Sequence, residues 1–385
     1  MFSRRTAWNL ETTQLSDALA RHRKTGKRLL DLTASNPTTC GFHFENELIL
    51  QSLGNPAALV YQPAAQGLAV AREAVAKYYL DRGASVSAEN IFLTASTSEA
   101  YSFIFRTLCD SGDEVLVPAP GYPLFDFLAD ILDVKIVRYP LVYDYGWQMD
   151  FHALESAIST RTRAVVVVHP NNPTGHFCKN AEMKKLTELC TQRGLAIVAD
   201  EVFLDFTLEG KRPESFVTHD TGLTFTLSGI SKIAGLPQMK IAWLVVGGEE
   251  KLVHEAKARL EVIADTYLSV SAPPQLAIPV FLQQRQGFHE QWKVRALENL
   301  ITLDTMLAQQ KLCTRLKVEG GWYAVLKIPA TRGDDEFALE LLEKRGVYVH
   351  PGHFYSFSGS EYLVLSLITP AEEFAEGIEA LLQML

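Results

Sequence analysis

Apolar runs of strand length recur through the middle of the chain, at Glu114–Val117, Val134–Arg138, Ala164–Val168, Leu195–Val198, Leu223–Leu227 and Ile241–Val246. Amphipathic stretches such as Ala181–Gln192 alternate with them. That alternation predicts a mostly parallel sheet with helices on both faces, an α/β architecture. Lys251–Ala264 predicts a long helix, because Leu252, Ala256, Leu260 and Ile263 recur about one turn apart. After Pro273-Pro274 the pattern changes to a helix, then strands at Tyr323–Ile328, Val347–Val349 and Tyr362–Leu367, then a final helix to Leu385. This second pattern predicts a smaller α+β domain behind the large one.

Three of the apolar runs end in polar residues of distinctive type. Ala164–Val168 leads into HPNNPTG (169–175), Leu195–Val198 into ADEVF (199–203), and Leu223–Leu227 into GISKIAGLPQMKIAW (229–243). Ligands of open α/β sheets bind in the crevice beyond the carboxyl ends of the strands. Asn172, Asp200 and Lys232 would all be delivered there. A lysine amine forms a Schiff base with an aldehyde. A carboxylate keeps a pyridine nitrogen protonated, so that the ring takes up electrons from a carbanion. An amide N–H can bond the ring oxygen beside the aldehyde. Each feature alone has a commonplace reading: a Ser-Lys pair is usually surface sequence, and an Asp after a strand is often a cap or ion-pair partner.

Together, in this order, the motifs resemble the class I/II aminotransferases, pyridoxal phosphate (PLP) enzymes of fold type I, from about Asp31 to Ser366. The resemblance implies that Lys232 is the Schiff-base lysine, Asp200 the partner of the ring nitrogen and Asn172 the donor to the ring oxygen. It makes LTASTSEAYSFIF (93–105) the phosphate-binding turn, where Ser96, Thr97 and Ser98 cap a helix whose N-terminus favours an anion. Ser231 and Lys240 would flank the same phosphate, Tyr122 would stack on the ring, and Tyr61 would reach the phosphate from a partner subunit of a homodimer. The implied organisation is an N-terminal segment (1–45) joining the small domain (271–385), with a large cofactor-binding domain at 46–270.

Four positions depart from the family pattern. Ser96 stands where glycine is common, and Lys240 replaces an arginine, offering a point charge in place of a planar fork. Phe203 replaces the tyrosine that donates to the ring oxygen. Val364, in EYLVLSL (361–367), replaces the last-strand arginine that pairs with the substrate α-carboxylate. Valine cannot do so. Polar candidates to take over are Asn36, His350 and His353, with Arg315 and Arg345 less local, and Asn172 at the substrate side of the ring. Tyr101, Trp322, Tyr323 and Phe354 hint at an apolar or aromatic substrate side chain.

Composition narrows the field. A chain of 385 residues with 47% hydrophobic residues can bury two cores. A net charge of −9 gives no footprint for nucleic acid. No run approaches the roughly eighteen apolar residues of a membrane span, and MFSRRTAWNLETTQLS lacks the apolar core of a secretory signal. Five scattered cysteines without CxxC spacing suggest reduced thiols in a cytoplasmic protein and no metal site. The expectation is an aminotransferase moving an amino group from an amino acid or related amine to a 2-oxo acid. A lyase, decarboxylase or oxidase on the same scaffold is the alternative, and a non-catalytic PLP-binding protein a more distant one.

Overall fold

The apolar runs become the middle of an eight-stranded sheet. In the computed structural model, which describes residues 1–210, 213–268 and 270–385, the strands lie in the order Ile91–Thr94, Ala242–Gly248, Leu223–Gly229, Ala196–Asp200, Thr162–Val168, Glu114–Ala119, Lys135–Tyr143 and Trp147–Met149. The pairings from Leu223–Gly229 through Lys135–Tyr143 are all parallel. Ala242–Gly248 runs antiparallel to both its neighbours. Buried on both faces, it is as apolar as its neighbours, so its direction leaves no trace in the residue pattern.

Successive residues of one strand face opposite sides of the sheet. Val166 and Val198 pack with Phe103 and Phe105 of the helix Thr97–Leu108 and Leu260 of the helix Glu250–Tyr267. Val165, Val167 and Ile197 pack on the other side with Met183, Leu186 and Cys190 of the helix Asn180–Arg193.

A separate four-stranded antiparallel sheet follows the order Thr314–Arg315, Tyr323–Lys327, Tyr362–Ser366, His350–Pro351. The expected Val347–Val349 strand is divided. Val347–Tyr348 pairs in parallel with Leu30–Asp31, and His350–Pro351 pairs with Tyr362–Ser366. Leu15, Leu30 and Leu32 share one core with Phe337, Leu341, Phe374 and Leu381. The helix Ala272–Leu307 starts at Pro273 and Pro274, where missing N–H groups cost nothing. Its Phe281 and Leu282 pack with Tyr78 and Tyr79, and its Trp292 and Leu303 in the core beside the small sheet. Among the described residues no helix is long and apolar enough to cross a membrane.

Candidate active site

Leu223–Gly229 ends in a close approach that allows Lys232 its position. A Cβ on Gly229 would lie 2.7 Å from the Cβ of Ala242, so only glycine lets the two strands meet there. The chain then turns into a short helix, Ile230–Ile233, which sends Ser231 and Lys232 into a cavity of about 370 Å³. Lys232 Nζ lies 4.9 Å from the ring centre of Trp322 and 5.6 Å from that of Phe203. Loss of water pushes its amine down to about 8, against the pull of the Asp200 carboxylate.

Asp200 closes the strand Ala196–Asp200 at the floor of the same cavity. Burial pushes its carboxyl up to about 6, although hydrogen bonds and Lys232 favour the ionised form. The Val202 N–H donates to Oδ1 at 3.1 Å, and the Tyr101 hydroxyl donates to Oδ2 at 3.0 Å.

Asn172 comes from a turn held between two cis prolyl bonds, His169-Pro170 and Asn172-Pro173. Its neighbour Asn171 fixes the turn, donating through Nδ2 to the Pro120 carbonyl and the Thr174 hydroxyl, both at 3.0 Å. Gly175 has φ +70 and no room for a Cβ, which would meet the Gly320 oxygen at 2.6 Å. The turn is thus clamped, while the Asn172 side chain lines the cavity with a buried Oδ1 that has no hydrogen-bond partner.

At the other end, Ser96 caps the helix Thr97–Leu108 by accepting from the Glu99 N–H at 3.1 Å, and Glu99 accepts from the Ala95 N–H at 2.7 Å. This reciprocal cap holds the turn without the glycine expected there. Ser96, Thr97, Ser98 and Ser231 line the cavity together. Tyr122 and Phe203 also line it. Phe203 sits edge-on to Trp322 and Tyr323 in the core, so its ring is a packing element as well as a wall.

Other candidates lie outside the lining of this cavity. Asn36 is not part of the cavity lining: its Oδ1 accepts from the Thr38 N–H at 3.1 Å and from the Thr38 hydroxyl at 2.7 Å, capping the turn Pro37–Thr39. His353 lies half-exposed with Nδ1 2.9 Å from Asp335 Oδ2, outside the cavity lining. Lys240 adopts φ 52 with an exposed side chain and is not part of the lining either. Tyr61 is 78% exposed on an outer groove with Leu268 and Gln275, away from its own chain's cavity. Trp322 is buried beneath Lys232, whereas Tyr101, Tyr323 and Phe354 do form walls. Sequence reasoning missed Tyr101 as the partner of Asp200, and also Thr33, Ser35 and Tyr355 as lining residues. Only the capping pattern at Ser96 could have hinted that Tyr101 sits one helical turn inside that helix. A larger surface groove, about 610 Å³ beside His219, contains none of these groups.

Val364 is buried in the core beside the small sheet. Arg315 is paired with Asp304 at 2.7 and 2.9 Å, outside the cavity. Among the described residues, Lys232 is the one lysine or arginine in the lining.

A family profile described as "Aminotransferase class I and II" matches residues 45–381. The glutamate-pyruvate aminotransferase AlaA of Haemophilus influenzae is 27% identical over 372 residues, covering 94% of this chain and 91% of its own. The crystal structure of an aminotransferase from Escherichia coli superposes with a TM-score of 0.89 at 25% identity, covering 100% of this chain and 97% of the other. The alanine aminotransferase of Pyrococcus furiosus gives a TM-score of 0.90 at 22% identity, covering 100% and 99%. The family's cofactor is pyridoxal 5'-phosphate, and the residues present fit it. Hydroxyls at a helix start suit a phosphate, a buried carboxylate suits a ring nitrogen, and an amide side chain, Asn172, lines the same cavity. The fold, the cavity and the matched span thus agree, and the chain belongs to the class I and II aminotransferases, PLP-dependent transaminases of fold type I.

Proposed function

We propose that this chain moves an amino group from an amino acid or related amine to a 2-oxo acid through Lys232, with unusual binding of the substrate carboxylate. When bound, pyridoxal phosphate supplies an aldehyde for imine exchange and a protonated ring that accepts electron density from the substrate. Lys232 Nζ holds the cofactor and then serves as the base that moves the proton on the substrate Cα. Asp200 keeps the ring nitrogen protonated, and Asn172 donates to the ring oxygen. Ser96, Thr97, Ser98 and Ser231 bind the phosphate. Tyr122 covers the ring and helps exclude water, while Phe203 withholds the extra donor that a tyrosine would give. Tyr61 reaches the phosphate of the other subunit in a homodimer. We assign the chain a cytoplasmic setting, with residues 1–45 attached to a small domain at 271–385 and the cofactor on residues 46–270.

One observation carries this reading: a lysine amine pushed down to about 8 and a buried aspartate held by Tyr101 face a single cavity. Mixing the loaded protein with amino acids alone tests it. A transaminase stalls after one half-reaction, with its visible band bleached, until a 2-oxo acid restores it. A lyase or decarboxylase turns over without one, and the lack of a guanidinium in the cavity lining is what keeps that alternative open. A protein that binds the cofactor and bleaches with nothing would favour a non-catalytic role.

A further inference from the structure

The place of the missing arginine has a neighbour across the sheet. His350 lies directly opposite Val364 in the antiparallel pair His350–Pro351 with Tyr362–Ser366. Opposed residues in such a pair project to the same side of the sheet. Val364 is only 1% exposed and packed into the core, whereas His350 lines the cavity. The imidazole is anchored at one end, with Nδ1 3.1 Å from the Tyr355 hydroxyl. Among the described residues nothing hydrogen-bonds its Nε2.

Resting on the aminotransferase reading above, we propose that His350 is the specificity-determining residue that receives the substrate's carboxylate, donating from Nε2 where the family's guanidinium would pair. In the tautomer that carries hydrogen on Nε2, Nδ1 accepts from the Tyr355 hydroxyl, which leaves Nε2–H free to donate into the cavity. Burial pushes His350 down to about 4, so in the empty cavity it is a neutral donor. Around it stand the rings of Tyr348 at 5.6 Å and Phe354 at 5.5 Å, with the Asp31 carboxylate acting at longer range. Tyr323 and Ser35 line the same cavity with neutral hydroxyls. Recognition is therefore by single-pronged hydrogen bonds between aromatic walls, which suits a monocarboxylate with an apolar or aromatic body.

Calorimetric titration of the cofactor-loaded protein with phenylpropanoate and with phenylpropanol, the same body without the charge, tests the assignment. The wild type should bind the acid more tightly than the alcohol. His350→Leu should weaken the acid about tenfold or more, as expected for loss of a hydrogen bond to a charged group, and leave the alcohol within about twofold. His350→Gln should recover most of the loss. In turnover, the Leu variant should raise KM for an amino acid with kcat little changed, the mark of lost ground-state binding. No preference for the acid in the wild type, or an equal loss of both ligands in the Leu variant, overturns the proposal. A readout on the wild type guards against a misfolded variant: the His350 ring nitrogen resonance, assigned by its absence in His350→Gln, must shift with the acid and not with the alcohol. Neither ligand reacts, so these results stand apart from whether any amino acid transfers its nitrogen.

Discussion

Lys232 and Asp200 face opposite costs of burial in one cavity. Desolvation lowers the lysine to about 8 and raises the aspartate to about 6, so near neutral pH the amine is within reach of its reactive, unprotonated form. The fraction of free amine rises with pH until it passes 8. The rate at which the visible cofactor band grows on mixing apo-protein with pyridoxal phosphate should therefore climb about tenfold per pH unit below 8 and level off above it. A rate flat between pH 6.5 and 9 would show that Lys232 is not the titrating nucleophile. Tyr101 supports the ionised aspartate from the side. Tyr101→Phe removes that donor, so Asp200 should titrate still higher, and cofactor affinity measured by equilibrium dialysis should fall about tenfold, with the greater loss at acidic pH. Phe203→Tyr works at the other edge of the ring. A new hydroxyl donating to the ring oxygen should lower the midpoint of the absorbance titration by about one pH unit, and an unmoved midpoint rejects that role. Asn172, Asp200 and Lys232 were legible because each follows its own apolar run with a side chain of telling chemistry. Tyr101 was not, since its bond to Asp200 joins groups 99 residues apart. His350 could be named only as one of several polar candidates until the strand register put it opposite Val364.

Among the elements, strands gave away their existence but not their direction or partners. Every position of Ala242–Trp243–Leu244–Val245–Val246 is buried, so neither face shows the polar alternation that would reveal an antiparallel strand. The two-residue strand His350–Pro351 is too short to leave any periodic signal, and the N-terminal pairing of Leu30–Asp31 is set by a partner more than three hundred residues away. Caps are the opposite case, because their chemistry is local. Ser96 caps the helix Thr97–Leu108 and also lines the cavity. Ser96→Ala should lower the stability of the apo-protein by about 1 kcal/mol through the lost cap. If Ser96 also touches the phosphate, the stabilisation that saturating cofactor confers in thermal melts should shrink as well. A loss confined to the apo-protein would leave Ser96 a cap and nothing more.

The whole molecule leaves apolar side chains uncovered around Tyr61. Leu59 is 91% exposed, Val60 60%, and Leu268, on the same groove as Tyr61, 69%. Such a cluster on a protein of this size is the mark of an interface, and a two-fold pairing would let each Tyr61 leave its own chain and enter the other's cavity. The consequence can be measured by mixing two inactive proteins. Lys232→Ala lacks the amine but keeps Tyr61, and Tyr61→Ala keeps the amine but lacks the tyrosine. If Tyr61 acts across the interface, a mixed dimer contains one complete site, built from the lysine of one chain and the tyrosine of the other. Random exchange of equal amounts makes half the dimers mixed, so activity should return to about a quarter of the wild-type value. If Tyr61 acts within its own chain, each mixed dimer has no complete site and mixing restores nothing; if it only packs on the surface, Tyr61→Ala is already active before mixing.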